Sequence, residues 1–197
     1  RAVLHWPHPV EKKKGSLMKT RDLIYCALFA ALTAIGAFLQ IPTGTVPITL
    51  QFLFTALAGL LLGWKWGAVS QLLYVGIGLL GLPVFTQGGG IGYVLQPSFG
   101  FLLGLIPAAA VIGALTARRT GYLTVLAAVL VGDLILYAVG VPYMYLILHV
   151  YMQSAKTFPA LLAAMLVYVP GDTLKIVVVT ALAPVLRRTL AKAVPNL

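Results

Sequence analysis

Asp172 and Lys175 are the residues whose type and spacing could do chemistry. They stand three positions apart in Pro170-Gly171-Asp172-Thr173-Leu174-Lys175, within an apolar run from Phe158 to Leu186. At that spacing an acid and a base share one helix face. An ionisable side chain at the centre of a bilayer costs roughly 2.5–3.5 kcal/mol on insertion scales. A pair of them behind a helix-loosening Pro-Gly therefore needs a purpose. Two readings stand: a structural ion pair joining two helices, or a polar ligand site. A carboxylate accepts from two N–H groups and an ammonium donates to a carbonyl or carboxylate oxygen, so the second reading suits a small polar molecule such as a cyclic urea. Asp133, the other acid in an apolar segment, would pair with Lys175 across helices or line the cavity.

The elements that must position this pair are membrane spans. The 197 residues are 60% hydrophobic and 9% charged, against about 25% charged in soluble domains. A single domain of this length holds about six spans of some 20 residues. The segments read as about Asp22–Leu39, Ile48–Gly63, Gly67–Leu82, Gln96–Ala117, a region from Tyr122 broken by Gly140-Val141-Pro142, and the run bearing Asp172. The fifth region is long enough for one span plus a re-entrant or interfacial segment. Trp64-Lys65-Trp66 reads as an interfacial anchor. Residues 1–17 read as a disordered basic leader or a vector-derived segment, with Met18 a candidate start, and residues 18–197 as one domain.

The net charge of +10 is explained by its distribution. No basic face with interleaved aromatics marks a nucleic-acid partner. Twelve Lys/Arg fall in the N-terminal leader, the 2–3 and 4–5 turns and the C-terminal tail, while the opposite connections hold only Lys156. That asymmetry places both termini in the cytoplasm of a multi-pass cell-membrane protein. The segments around Pro42–Pro47, Pro83–Gln96 and Pro142–Thr157 then face outside and suit a lid over a site in the outer half of the membrane.

Enzyme chemistry finds little support. Ser70 and Ser98 have no partner histidine, and His149 sits among tyrosines as an interfacial residue. His5 and His8, with prolines around them, lack the fixed geometry of a metal site. The loop Thr86-Gln87-Gly88-Gly89-Gly90-Ile91-Gly92-Tyr93 lacks the Lys-Ser/Thr of a P-loop, so no ATP hydrolysis and no cofactor is expected of this chain. A proton-coupled carrier would use Asp172 as a relay and is the main mechanistic competitor to simple ligand capture.

The ordered landmarks are an alanine-rich first span, Ile41-Pro42 to Pro47-Ile48-Thr49-Leu50-Gln51, Leu57-Ala58-Gly59-Leu60-Leu61-Leu62-Gly63, Gly81-Leu82-Pro83-Val84-Phe85, the glycine loop and the Asp172/Lys175 motif. Over about Met18 to Lys192 this set resembles the BioY family, the biotin-specific substrate-binding (S) components of energy-coupling-factor (ECF) transporters. The resemblance implies an all-α integral membrane protein of six transmembrane helices. It would capture biotin from outside and deliver it with a transmembrane coupling subunit and two cytoplasmic ATPases. An S component for another vitamin, or a stand-alone proton-coupled carrier, is the alternative.

The resemblance also implies residue roles. Asp172 and Lys175 match the family's ligand-contacting Asp-x-x-Lys pair, and Gln87 falls where the family offers an amide. Backbone groups of the Gly88–Gly92 loop, Gly89 and Gly90 among them, would add hydrogen bonds. Tyr74, Tyr93 and Tyr143 are candidate apolar walls. Ala27, Ala31, Ala30 and Ala34 form small-xxx-small patterns similar to the surface presented to the coupling subunit, although such patterns serve any close helix contact. Two departures stand out: Gln96-Pro97-Ser98-Phe99-Gly100-Phe101 replaces a glycine-rich run, which would narrow the pocket or shift the loop, and Tyr143 stands where a tryptophan is common.

Overall fold

The computed structural model describes residues 20–43, 46–118 and 121–193. The leader 1–17, Met18 and Arg119 lie outside the described residues. Six α-helices account for most of the remainder: α1 (Thr20–Phe38), α2 (Gln51–Leu79), α3 (Phe99–Leu115), α4 (Tyr122–Leu146), α5 (Phe158–Ala164) and α6 (Val169–Ala193). Strands β1 (Gln40–Ile41) and β2 (Ile48–Thr49) pair antiparallel between α1 and α2. Among the described residues, four helical segments are long and apolar enough to cross a membrane: Thr20–Phe38, Gln51–Leu79, Tyr122–Tyr151 and Val169–Thr189.

Helix α2 is not one rod. As a straight helix its 29 residues would span about 44 Å. Instead Gly63 leaves the helical region (φ 78°, ψ 178°) and reverses the chain. Gln51 donates to the Tyr74 hydroxyl at 2.8 Å and Thr55 to the Gln71 side chain at 2.9 Å. A Cβ on Gly67 would stand 2.8 Å from the Gly59 Cα. These pairs are symmetric about Gly63, so α2 is a hairpin of two antiparallel arms, residues 51–62 and 64–79. They are the expected second and third spans, joined by one residue where Trp64-Lys65-Trp66 suggested a longer turn. The bundle therefore has six crossings: α1, the two arms of α2, α3, α4 and α6.

Small residues set the contacts. Gly59 lies against the Ala109 carbonyl and Gly113 against the Gly63–Trp64 backbone, which draws α3 onto the α2 hairpin. Gly100 meets Tyr143, Gly104 meets Leu136, Gly140 meets Phe101 and Gly132 meets Ile112, so α3 and α4 pack antiparallel through glycines on both helices. Inside, Gln71 accepts from Thr55 and Thr33 and donates to Ser70, tying α1 to both arms of α2. In lipid such side-chain bonds hold helices together where hydrophobic burial gives little gain. The large apolar side chains of α1, including Leu23, Ile24, Leu28 and Ile35, face outward, as a bilayer solvent permits.

Two expectations are corrected. Gly140-Val141-Pro142 does not break the fifth region. α4 runs through Pro142 and continues as a π-helical turn, Ile147–Tyr151, and Gly140 backs closely onto Phe101 on α3. The last apolar run is not one bent span. It stops at α5, passes through a 3₁₀ turn (Met165–Val167) and restarts at Val169. Pro170 is the second residue of α6, where its missing N–H costs no helical bond. Asp172 thus sits in the first turn of α6 and not at mid-helix, beside the positive end of the helix dipole.

The Gly63 conformation lies in a region that is nearly glycine-only, and nothing stands within 4 Å of a Cβ there. Gly63→Ala is therefore expected to destabilise by about 1–3 kcal/mol through backbone strain alone. Gly76→Ala, equally open but helical, should be neutral or slightly stabilising. Thermal unfolding in detergent micelles compares the two.

Candidate ligand-binding site

One end of the bundle gathers the β-ribbon, the loop from Leu80 to Ser98 and the α5–α6 connection over a cavity of about 70 Å³. Its polar wall comes from β2, α2, α4 and α6: Thr49, Gln51, Tyr137, Asp172 and Lys175, with Thr86 at its edge. Phe52, Phe101, Leu102, Leu105 and Leu136 supply apolar lining. A molecule with both hydrogen-bonding and apolar parts matches this lining.

Asp172 and Lys175 are both buried, and their charged atoms lie 2.5 Å apart. The ammonium also donates to the Thr49 carbonyl at 3.2 Å. The other carboxylate oxygen of Asp172 accepts from the Tyr137 hydroxyl. Asp172 is thereby held by α4, and Lys175 by the ribbon strand ahead of α2. Lys175 has three N–H donors and uses two of them, and carboxylate lone pairs remain on Asp172. The pair is at once a joint between elements and a donor–acceptor surface, so the two readings of it are one arrangement.

Asp133 lies one helical turn from Tyr137 and does not line the cavity. Its Oδ1 is buried and has no hydrogen-bond partner. The contact between Tyr137 and Asp172 sets the register of antiparallel α4 and α6, which brings Asp133 opposite Lys175 and Ile176. The charges of Asp172 and Lys175 both act on it.

The loop residues are placed differently from expectation. Gln87 is exposed and absent from the cavity wall, and its neighbour Thr86 takes that place. Gly88 (φ 110°) and Gly90 (φ 99°) turn the loop back on itself. The Gly88 N–H donates to the Phe85 carbonyl and the Gly90 N–H to the Gly78 carbonyl, while the Gly90 carbonyl accepts from Tyr93. Gly89 packs against the Leu82 carbonyl. Neither Gly89 nor Gly90 lines the cavity, and the Gly90 N–H and carbonyl are both engaged in the loop's own hydrogen bonds.

The three candidate tyrosines belong to one row of rings. Tyr74–Phe85 centroids are 5.5 Å apart, Phe85–Tyr93 4.6 Å, Tyr93–Phe99 6.4 Å and Phe99–Tyr143 5.8 Å. Tyr93 alone of these five faces the cavity. Tyr74 donates to the Val84 carbonyl and Tyr143 to the Val94 carbonyl, so both pin the loop from behind. Phe99 is buried within this row and does not line the cavity, whereas Ser98 and Phe101 do. Tyr137 and Tyr168, absent from the expected set, do line the site. Tyr137 could have been found from its spacing to Asp133, four residues along one helix face. Tyr168, in the α5–α6 connection, carried no such signal.

On α1, Ala27 and Ala31 are exposed on one face and Ala34 is half-buried. Ala30 is buried within the bundle and cannot belong to an outward surface.

Comparison with known proteins identifies the arrangement. The BioY family model matches residues 11–192. The chain belongs to the BioY family. A probable biotin transporter BioY of Lysinibacillus sphaericus is 54% identical over 141 residues, covering 71% of this chain and 72% of the relative. The biotin transporter BioY of Thermotoga maritima is 36% identical over 164 residues, 83% of this chain and 94% of the relative. The crystal structure of the S-component for biotin from an ECF-type ABC transporter superposes with a TM-score of 0.74 at 29% identity, covering 87% of this chain and 95% of that one. Like the expected fold, this BioY family protein is an all-helical, multi-pass membrane protein.

Tyr137→Phe removes a hydrogen bond to a buried carboxylate and is expected to cost about 1.5–3 kcal/mol of stability. Asp133→Asn replaces a carboxyl whose buried Oδ1 has no hydrogen-bond partner and should leave stability unchanged or raise it. Unfolding midpoints of the two variants against the parent check the contrast.

Proposed function

We propose that this protein captures biotin with high affinity as the S component of an ECF transporter. The observation that carries this reading is the Asp172–Lys175 pair on the polar wall of an otherwise apolar cavity. A cyclic urea presents two N–H donors and one carbonyl acceptor, and the carboxylate and ammonium complement them. The hydrocarbon and thioether portions of biotin suit the wall of Phe52, Phe101 and Leu105. The matched relatives are biotin transporters, and the matched structure is a biotin S component.

The cavity end is assigned to the outer side of the cell membrane, and both termini to the cytoplasm, on the positive-inside rule. Lys65, Arg118, Arg187 and Arg188 belong to the opposite end, where the Arg187 guanidinium donates to the Leu60 carbonyl near the hairpin turn. Delivery inward then falls to a transmembrane coupling subunit and two cytoplasmic ATPases, with the exposed Ala27/Ala31 face of α1 as the contact. The chain works as a transport subunit and carries out no catalysis of its own. Asp172 and Lys175 bind the ureido group, Tyr137 orients Asp172, Thr49 orients Lys175, and Tyr93 contributes to the wall.

Binding of labelled biotin to the purified protein tests the reading. Affinity tighter than micromolar is expected, and micromolar or weaker affinity counts against it. Asp172→Asn and Lys175→Gln should each weaken binding about 10- to 100-fold, the worth of a hydrogen bond to a charged group. Uptake in cells lacking the coupling subunit and ATPases should fall away, whereas uptake abolished only by a protonophore would favour a stand-alone carrier.

A further inference from the structure

The cavity beside Asp172 and Lys175 holds about 70 Å³, against roughly 300–1,000 Å³ for ordinary small-molecule sites. It has room for part of a ligand, not for a bicyclic head with a five-carbon acid tail. A second cavity of about 310 Å³ lies at the same end of the bundle. Met165 and Tyr168 line both, so these two side chains are the partition between them. Together the two spaces reach the ordinary range.

The second cavity has its own chemistry. Its wall is apolar along Met144, Leu161 and Ala164, and Lys156 is its one charged lining residue. Among the described residues the Lys156 ammonium has neither an ion-pair nor a hydrogen-bond partner; its backbone N–H alone is engaged, with Ser154. Lys156 is also the sole Lys/Arg that the charge count leaves on this side of the membrane. A largely apolar space with one unpaired, exposed cation in its wall is complementary to an alkyl chain ending in a carboxylate.

The partition lies in a connection between helices. Met165 and Tyr168 sit in the short 3₁₀ connection between α5 and α6, and not in a long helix. Tyr168 is held by hydroxyl contacts to the Val46 carbonyl at 2.5 Å and to Thr43 at 2.9 Å.

We propose that the second cavity is the subsite for the acid tail of the ligand, with Lys156 as counter-ion to its carboxylate. This rests on the biotin reading and deepens it: the protein selects a urea head at Asp172/Lys175 and an anionic tail at Lys156. The ligand class is thus a cyclic urea carrying a terminal carboxylate, bound as the ionised acid.

Equilibrium binding of biotin and of biotin amide, whose tail is neutral, tests the inference on the full chain in detergent. The parent should prefer biotin by about fivefold, as expected for one partly screened ion pair, and the preference should shrink in high salt. Lys156→Gln should abolish the preference by weakening biotin alone, and Lys156→Glu should reverse it. Ala164→Phe fills the second cavity without changing charge and should weaken both ligands. Equal binding of both ligands to the parent, equal weakening of both by Lys156→Gln, or unchanged affinity in Ala164→Phe would each overturn the subsite. A parent that binds neither ligand overturns the biotin reading itself, so the two failures are told apart.

Discussion

The contact between Asp172 and Lys175 is the constraint on which the site depends. Two charges withdrawn from water recover their desolvation cost only with close approach and further hydrogen bonds. Here those bonds come from Tyr137 on α4 and from the Thr49 carbonyl at the head of α2. The pair therefore ties three parts of the chain that are distant in sequence. The first turn of α6 is held in register against α4, and the β-ribbon is held over the cavity. Placing Asp172 at the start of a helix adds a favourable dipole that a mid-helix position would lack.

That joint sits on a scaffold made rigid by close backbone approach. The α2 hairpin turns at Gly63, lies against α3 through Gly59 and Gly113, and α3 meets α4 through four further glycines. The Gln71 network holds α1 to the hairpin. The row of rings from Tyr74 to Tyr143 then fixes the glycine loop as one wall. By contrast the α5–α6 connection is short, partly 3₁₀ and latched by a single tyrosine hydroxyl. The wall is thus built from two kinds of element, packed helices and a short latched connection.

Much of the fold was legible in the sequence. Apolar segments of spanning length, small residues at helix spacing and the charge asymmetry are local properties. The all-helical bundle and its six crossings followed from them. Where the reading failed, it failed at proline and glycine. Pro142 and Pro170 look alike as breakers, yet one lies inside a continuous helix and the other at a helix start. What separates them is where each helix begins: α6 opens at Val169, one residue before Pro170, whereas α4 opens at Tyr122, far ahead of Pro142. The glycine loop is the turn that its composition suggested, and its Gly88 and Gly90 N–H groups close hydrogen bonds within the loop and to the end of α2.

For the site itself, the sequence alone determined the chemistry of the pair: an acid and a base three residues apart in an apolar run share a helix face wherever that helix goes. It also determined that Tyr93 and the glycine loop stand near one end of the bundle. Only the tertiary structure decided that Tyr137 and Thr49 complete the pair, that Gln87 points away, and that Tyr74 and Tyr143 brace the wall from behind. The physical reason is that i,i+3 geometry is a property of one helix. Contacts across helices depend on register, which glycine packing and buried hydrogen bonds set jointly over the whole bundle.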